Sequence, residues 1–520
     1  MRNFNRKHIL FYSLLSSFVI LFYQFNNIWV GIHEDAKVSG CDSFGYARQA
    51  QLFRKSDNYF TALDTSINND VQSLLNNWGE NTSIKYKNWY QMIAPHAHYF
   101  SNDSKRTILQ YPPGTGWLLS IFPENKARKI LWILSFSAIS SLFLARINIS
   151  DNTFTNLSLA LSCLGSLYLT NTFSTRSDSI APSCLIAVLI TSITIRSINS
   201  LNKNKKIPLL EILFISLIFG ISLSIRPGNM LFVIAPISIY IVAFKLRTKY
   251  IFRSICISIT AFFTSIYPLL QAHKINTGSY FISTYSSIDT SFDFSSLLLN
   301  LSLKNESIED STRVILVLIF SLIFSYRGLI FKENNSFFYS RRILIFLSWL
   351  FMILMITLMC LKPVFNLYYL APQLVMTLSI SSMSLFISKS SINSNFFLID
   401  KFRSSVISFS FLIFILGYLL IKPTYIEPFT ALNQLPENSI IWGDRLGSSL
   451  YYYHNIPTAK LHFGSTEAQK AIVRYLSKNN INQFVLDEKN QLENFKNVSS
   501  GYLKEFSVYN NLRIFQFISD

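Results

Sequence analysis

Apolar runs of about 17 to 23 residues recur along this chain, the length at which a helix crosses roughly 30 Å of hydrocarbon. So many of them cannot all be buried in one water-soluble core, whereas a bilayer accepts every one provided the backbone is helical. The runs lie at 9–30, 129–146, 154–170, 179–195, 208–225, 228–244, 254–271, 313–331, 342–361, 366–388 and 404–421. Together they predict about eleven transmembrane helices, with the two termini on opposite sides. Composition points the same way: 50% of the residues are hydrophobic, 15% aromatic and only 14% charged. The first run follows Arg2, Arg6 and Lys7 as a signal peptide would, but it is longer than a typical h-region and no small-residue cleavage site follows. It reads as an uncleaved first helix.

The 46 Lys and Arg against 28 Asp and Glu, a formal charge of +18, would suit nucleic acid. Their placement argues otherwise. Arg196/Lys203/Lys205/Lys206, Lys245/Arg247/Lys249/Arg253, Lys332/Arg341/Arg342 and Lys389/Lys401/Arg403 all fall on alternate short connections. That is the positive-inside pattern, which sets these loops and the N-terminus in the cytoplasm and the C-terminus outside it. The excess charge is a topology signal, and no nucleic-acid partner is expected.

The outer face then receives loop 31–128, turns near 171–178 and 226–227, loop 272–312, the 362–365 turn and the tail from 423. Loop 31–128 is far too long for a simple connector, and loops of that length are usually functional. Within it, 42–55 and 65–78 carry helical apolar spacing suited to the membrane interface, where Trp78, Trp89 and Tyr90 would fit the headgroup zone. In the tail, "NSIIWG" and "NQFVLDE" read as short strands and "TEAQKAIVRYLSKNN" as a helix. "FSVYNNLRIFQFI" reads as two strands about an Asn-Asn turn. The expected organisation is a transmembrane domain, 1–422, and a small extracytoplasmic α/β domain, 423–520.

Charged groups converge on the outer side. Glu34, Asp35 and Asp42 follow the first helix, and Arg176 and Asp178 occupy the turn "TRSDS". Arg226 stands in "SIRPGN", and Lys362 in "CLKPVFN", which runs on into "YYLAP". Charges at a membrane edge are functional candidates by default. The competing reading is that helix-end cations merely snorkel to water and that loop acids are solvated. "YPPGTGW", Tyr111 to Trp117, is a rigid turn with two prolines and two permissive glycines ahead of the apolar "WLLSIF".

Taken together, a cytoplasmic N-terminus, an acidic motif opening a large first outer loop, "YPPG" near its end, outer-face cations and a small C-terminal domain resemble the GT-C superfamily of polytopic glycosyltransferases. The chain is most similar to the branch of protein O-mannosyltransferases and lipid A aminoarabinose transferases. "CDSFGYARQAQLF" resembles that branch's Asp-x-x-x-Tyr-x-x-x-Ala opening through Asp42, Tyr46 and Ala50. "QYPPGTGWLL" is similar to its Tyr-Pro-Pro-Gly segment. The resemblance implies transfer of a sugar from a polyprenyl-phosphate carrier, embedded in membrane lipid, to an extracytoplasmic glycan, lipid or protein. It further implies that a first-loop carboxylate acts as base while cations hold the carrier phosphate. Arginine suits that task because its planar fork binds phosphate through two hydrogen bonds. A single displacement would invert the anomeric centre. Asp42 is the preferred catalytic carboxylate because Tyr46 and Ala50 follow in register, and Asp35 is second. Arg226 and Lys362, then Arg176, Asp178, Tyr46, Tyr111, His96 and His98, are the expected substrate-binding residues.

His96 and His98 stand two apart in "PHAHYF", too sparse a pattern to indicate a metal site. The sequence thus points to no particular cofactor. No Gly-rich loop follows a strand, so a soluble nucleotide-sugar donor is not supported. Of the five cysteines, Cys163, Cys184, Cys256 and Cys360 lie in or beside apolar runs and Cys41 does not, so no disulfide framework is expected. The alternative function is a transporter or lipid-linked glycan flippase. That reading would favour charges near the bilayer midplane and paired halves, neither of which stands out here.

Overall fold

The computed structural model describes residues 40–55, 70–82, 92–94, 97–101, 106–124, 126–144, 146, 153–174, 176–282, 308–330, 335–361, 367–387, 435–443, 456–460, 465–487, 491–509 and 512–519. The expected spans 9–30 and 404–421 lie outside these residues, as do Glu34, Asp35, His96 and Lys362. Two compact units emerge. One comprises Met1–Ile28, Arg128–Tyr267 and Asp289–Lys422, the other Trp29–Ala127, Pro268–Ile288 and Pro423–Asp520.

The first unit is helical. In the order of the whole chain, its helices are α4 (Ala127–Leu144), α5 (Thr153–Ser174), α6 (Ile180–Asn204), α7 (Leu209–Ile225), α8 (Ile234–Lys245), α9 (Ile251–Thr277), α10 (Ile308–Ile330), α11 (Asn335–Cys360) and α12 (Ala371–Met383). Among the described residues, six segments are long and apolar enough to cross a membrane: Ile180–Asn204, Pro227–Lys245, Ile251–Thr277, Asp310–Ile330, Phe337–Cys360 and Leu367–Phe386. The chain is therefore a multi-pass helical membrane protein. The 17 residues of α7 form a shorter apolar helix. Helices α4 and α5, at the expected spans 129–146 and 154–170, fall outside the set of six. The first carries Arg128 and Lys129 in its opening turn and the second is rich in Ser, Thr and Asn. Pro227–Val233 is a 3-10 helix rather than the first turns of an α-helix.

The centre of this unit is α12. Every residue from Ala371 to Met383 is buried, although its span is the least apolar of the six. It packs against α5, α6, α10 and α11. Its serines make this possible, because small side chains let helices approach closely in a membrane. Ser379 and Ser381 donate to the carbonyls of Val375 and Thr377 at 2.6 and 2.7 Å, so the hydroxyls are satisfied within the helix. Helix α9 is the opposite case. Phe252, Ile259, Phe263 and Tyr267 are exposed along it, an apolar surface fitted to lipid.

In the second unit, α1 (Gly40–Lys55), α2 (Asp70–Thr82), a hairpin of β1 (His98–Ser101) and β2 (Arg106–Leu109), and α3 (Pro113–Ser120) come from the long loop. The tail adds β3 (Ser439–Trp442), β4 (Thr458–Ala459), α13 (Thr466–Lys478), β5 (Asn482–Leu486), α14 (Gln491–Val498), β6 (Gly501–Tyr509) and β7 (Leu512–Ser519). The five-stranded sheet runs β4-β3-β5-β7-β6, with β4, β3 and β5 parallel and the last two antiparallel. The Asn-Asn hairpin expected from the sequence is the β6–β7 pair, in register at Tyr509 and Leu512.

Ser465 caps α13 by accepting from the Ala468 amide at 3.2 Å, and the helix buries Ala468, Ile472, Val473 and Leu476 on the sheet. That core also takes Val71, Leu75 and Trp78 from α2, with Met92 and Ile93. The amide of Lys460 donates to the carbonyl of Met92 at 2.9 Å, tying tail to loop by backbone. The sequence reading set the tail apart at 423, whereas the tail and the long loop share one apolar core. The part of α9 from Pro268 onward belongs to the second unit and runs past the expected loop start at 272 as far as Thr277, its Ala272 and Ile275 packing against Phe53 of α1.

Candidate functional site

In the second unit, Asp42 lies in the first turn of α1, where a carboxylate complements the helix dipole. Tyr46, Ala50 and Phe53 recur at helical spacing below it, and all three are buried. Across from this stripe, Pro112 holds φ −60° and ψ 150° at the start of α3, and Pro113 occupies the first helical position, where its missing donor costs nothing. This fixed entry presents Tyr111 to α1. Its hydroxyl donates to Asp42 Oδ1 at 2.8 Å, and its ring lies against Tyr46 with centroids 4.7 Å apart. Its carbonyl accepts from Gln49 Nε2 at 3.2 Å.

Two glycines allow the approach. A Cβ on Gly45 would sit 2.2 Å from the Tyr111 ring, and one on Gly116 would sit 2.3 Å from Gln49 Oε1. Further along, Arg54 Nη2 donates to the carbonyls of Leu119 and Phe122 at 2.7 and 3.0 Å, closing the end of α3 with a cation. Asp42, Tyr46 and Tyr111, singled out separately in the sequence, are thus one contact cluster. His98, an expected substrate-binding residue, is paired through its backbone with Leu109 and is buried.

In the first unit, the turn carrying Arg176 to Ser179 collects three arginines. Arg128 Nε donates to both carboxylate oxygens of Asp178, at 3.0 and 2.9 Å. Arg176 pairs with Asp310, whose other oxygen accepts from Arg313 Nη1 at 2.9 Å. Ser179 Oγ accepts from Arg226 Nη1 at 3.1 Å. Asp310 is 1% exposed, so its two arginines supply the compensation a buried carboxylate needs.

Arg226 differs from the others. It is 8% exposed, and no carboxylate among the described residues pairs with it. Its guanidinium instead stands 5.6 and 5.2 Å from the ring centres of Tyr368 and Tyr369, which lie 4.4 Å apart. Extended backbone at Arg226, φ −156°, separates α7 from the 3-10 helix. That break is locked by Gln373 Nε2 donating to the Gly228 carbonyl at 2.8 Å and by Asn229 Nδ2 donating to Ser183 Oγ at 2.9 Å. The result is a buried cation with a hydroxyl and two aromatic faces around it, whose weakly hydrated planar fork suits an oxyanion such as a phosphate ester.

Arg128, Asp310, Arg313, Tyr368 and Tyr369 were missed as site components. Asp310 carried a signal, an acid in the opening turn of an apolar run, and "YYLAP" stood beside a chosen lysine. Asp178 and Arg176, expected substrate-binding residues, each form an ion pair within the fold. Among the described residues no group of three or more His, Cys, Asp or Glu side chains is gathered as a metal site would require.

No protein-family model and no curated protein matches the chain. Solved structures do match, among them the apo crystal structure of ArnT from Cupriavidus metallidurans. The likeness covers 88% of this chain and 95% of that one, at 9% identity and a TM-score of 0.47.

Proposed function

We propose that the chain is a multi-pass membrane glycosyltransferase that moves a sugar from a polyprenyl-phosphate donor to an acceptor outside the cytoplasm. The observation that carries this reading is the contact of Tyr111 with Asp42 and Tyr46. The two segments that resemble the GT-C pattern, some seventy residues apart in sequence, meet through the very residues that carry the resemblance.

In this reading Asp42 takes the proton of the acceptor hydroxyl as its oxygen attacks the anomeric carbon. The bond from that carbon to the phosphate oxygen breaks, and polyprenyl phosphate leaves with the electron pair. Departure of such an anion needs charge neutralisation more than it needs an acid, which is the role of Arg226, with Lys362 as its expected companion. One displacement inverts the sugar. Tyr111 holds the orientation of the carboxylate, and the paired residues Asp178, Arg176 and Asp310 keep the turn beside Arg226 in shape.

The test is purified protein in nanodiscs with polyprenyl-phosphate sugars labelled in the sugar. Release of free polyprenyl phosphate, together with labelled acceptor, is the expected result. Donor that changes leaflet with its sugar still attached would instead establish a flippase.

A further inference from the structure

The basic loops were read from sequence only as a topology signal, but two of them form one structure. The loop after α6 and the loop between α8 and α9 are joined by a parallel bridge between Lys206 and Lys249. Lys205, Arg247 and Tyr250 hold φ of 49°, 50° and 68°, left-handed backbone that side-chain-bearing residues rarely adopt. Thr248 fixes the second loop, its amide and its hydroxyl both donating to the Ala243 carbonyl, at 3.1 and 3.2 Å. The Tyr240 hydroxyl, donating to the Ser254 carbonyl at 2.8 Å, ties α8 to α9 beneath it.

Lys203, Lys205, Lys206, Arg247, Lys249 and Arg253 are all exposed here, and none forms an ion pair among the described residues. Glu211 is the one acid between positions 196 and 253, and Arg196 takes it at 3.4 Å. Beside the cations stand Phe244, Tyr250 and Phe252, exposed by 59, 68 and 80%. The cations at the C-termini of α6 and α8 would be accounted for by the dipole alone, but Arg253 lies in the first turn of α9. That leaves unexplained the bridge, the three left-handed residues and the aromatic rim.

We propose that the joined loops are a binding site for the phosphate headgroup of an anionic membrane phospholipid. The six cations would meet the phosphate, and the aromatic side chains would enter the interface where such rings settle. A cation near an anionic bilayer surface adds about fivefold to partitioning, and that gain is screened by salt. The site is independent of the proposed transfer chemistry.

The test uses the full-length protein in detergent, with native mass spectrometry counting retained phosphatidylglycerol against phosphatidylcholine. Thermal unfolding is followed in nanodiscs of each lipid. The protein should retain phosphatidylglycerol preferentially and unfold at higher temperature in its presence. The quadruple variant K205Q/K206Q/R247Q/K249Q should lose at least about tenfold in that preference. A charge-matched control in the tail, K470Q/R474Q/K478Q/K504Q, should keep it. Should the quadruple variant not fold, Lys249→Gln and Lys205→Gln singly should each lower retention by about fivefold. Equal losses in loop and control variants, no preference in the parent protein, or displacement of the lipid by inorganic phosphate alone would each overturn the proposal.

Discussion

At the scale of single residues, what distinguishes the proposed machinery from its surroundings is how each charge is held. A tyrosine hydroxyl orients the Asp42 carboxylate, while Arg226, which has no carboxylate partner among the described residues, is held by a serine hydroxyl and two rings. Asp310 and Asp178 are anchored by arginines. The two groups should respond differently to substitution. Tyr111→Phe keeps the ring against Tyr46 and removes only the hydrogen bond, so it should lower kcat by about three- to tenfold while leaving thermal stability nearly unchanged. Arg226→Ala removes a charge-assisted contact worth about 1.5–3 kcal/mol, so kcat/KM for the donor should fall by roughly ten- to hundredfold. Asp310→Ala should act on stability, costing about 3–5 kcal/mol in thermal unfolding as two arginines lose their shared partner. The partial exposure of Arg176 pulls that figure toward its lower end.

At the scale of elements, the helices were legible and their partners were not. The stripe of Tyr46, Ala50 and Phe53 announces α1 by its local period, whereas "YPPGTGW", read from the sequence as a turn, opens α3 with both glycines inside the helix, Pro113 serving as its first residue. That the two dock face to face depends on the space left by Gly45 and Gly116, a tertiary fact that spacing along the chain does not carry. In the same way α13 was readable from its amphipathic period, whereas the packing of α2 beneath the sheet was not. Leu75→Ala tests that packing. The side chain is fully buried among residues of the tail, so truncation should destabilise the second unit by about 2–5 kcal/mol in a thermal or denaturant melt. Helix α14 escaped notice because eight residues hold too few turns for a period to show. The ion pairs of the turn at Arg176–Ser179 were likewise hidden, since they join that turn to α4 and α10 across long separations in sequence.

At the scale of the whole molecule, six helices able to cross a membrane are described, and the sequence expects about eleven crossings in all. The sidedness rests on the basic loops. Reporter fusions after Lys206, Lys249, Arg342 and Arg403 should read cytoplasm, and fusions at Asn58 and after Tyr425 should read the outside. A cytoplasmic signal from the tail would break the arrangement, since it would part the carboxylate from the donor's sugar. The central claim, that Asp42 is the base of an inverting glycosyl transfer, is tested most directly by Asp42→Asn. An amide keeps the size of the carboxylate and can still accept from Tyr111, but it has no basic lone pair at neutral pH. General-base assistance is worth about 10²–10⁴-fold. The measurement is turnover of a labelled polyprenyl-phosphate sugar by the purified variant, alongside its donor affinity and its thermal unfolding. The account predicts turnover lower by that factor with donor affinity and unfolding unchanged; turnover equal to that of the parent protein would contradict it.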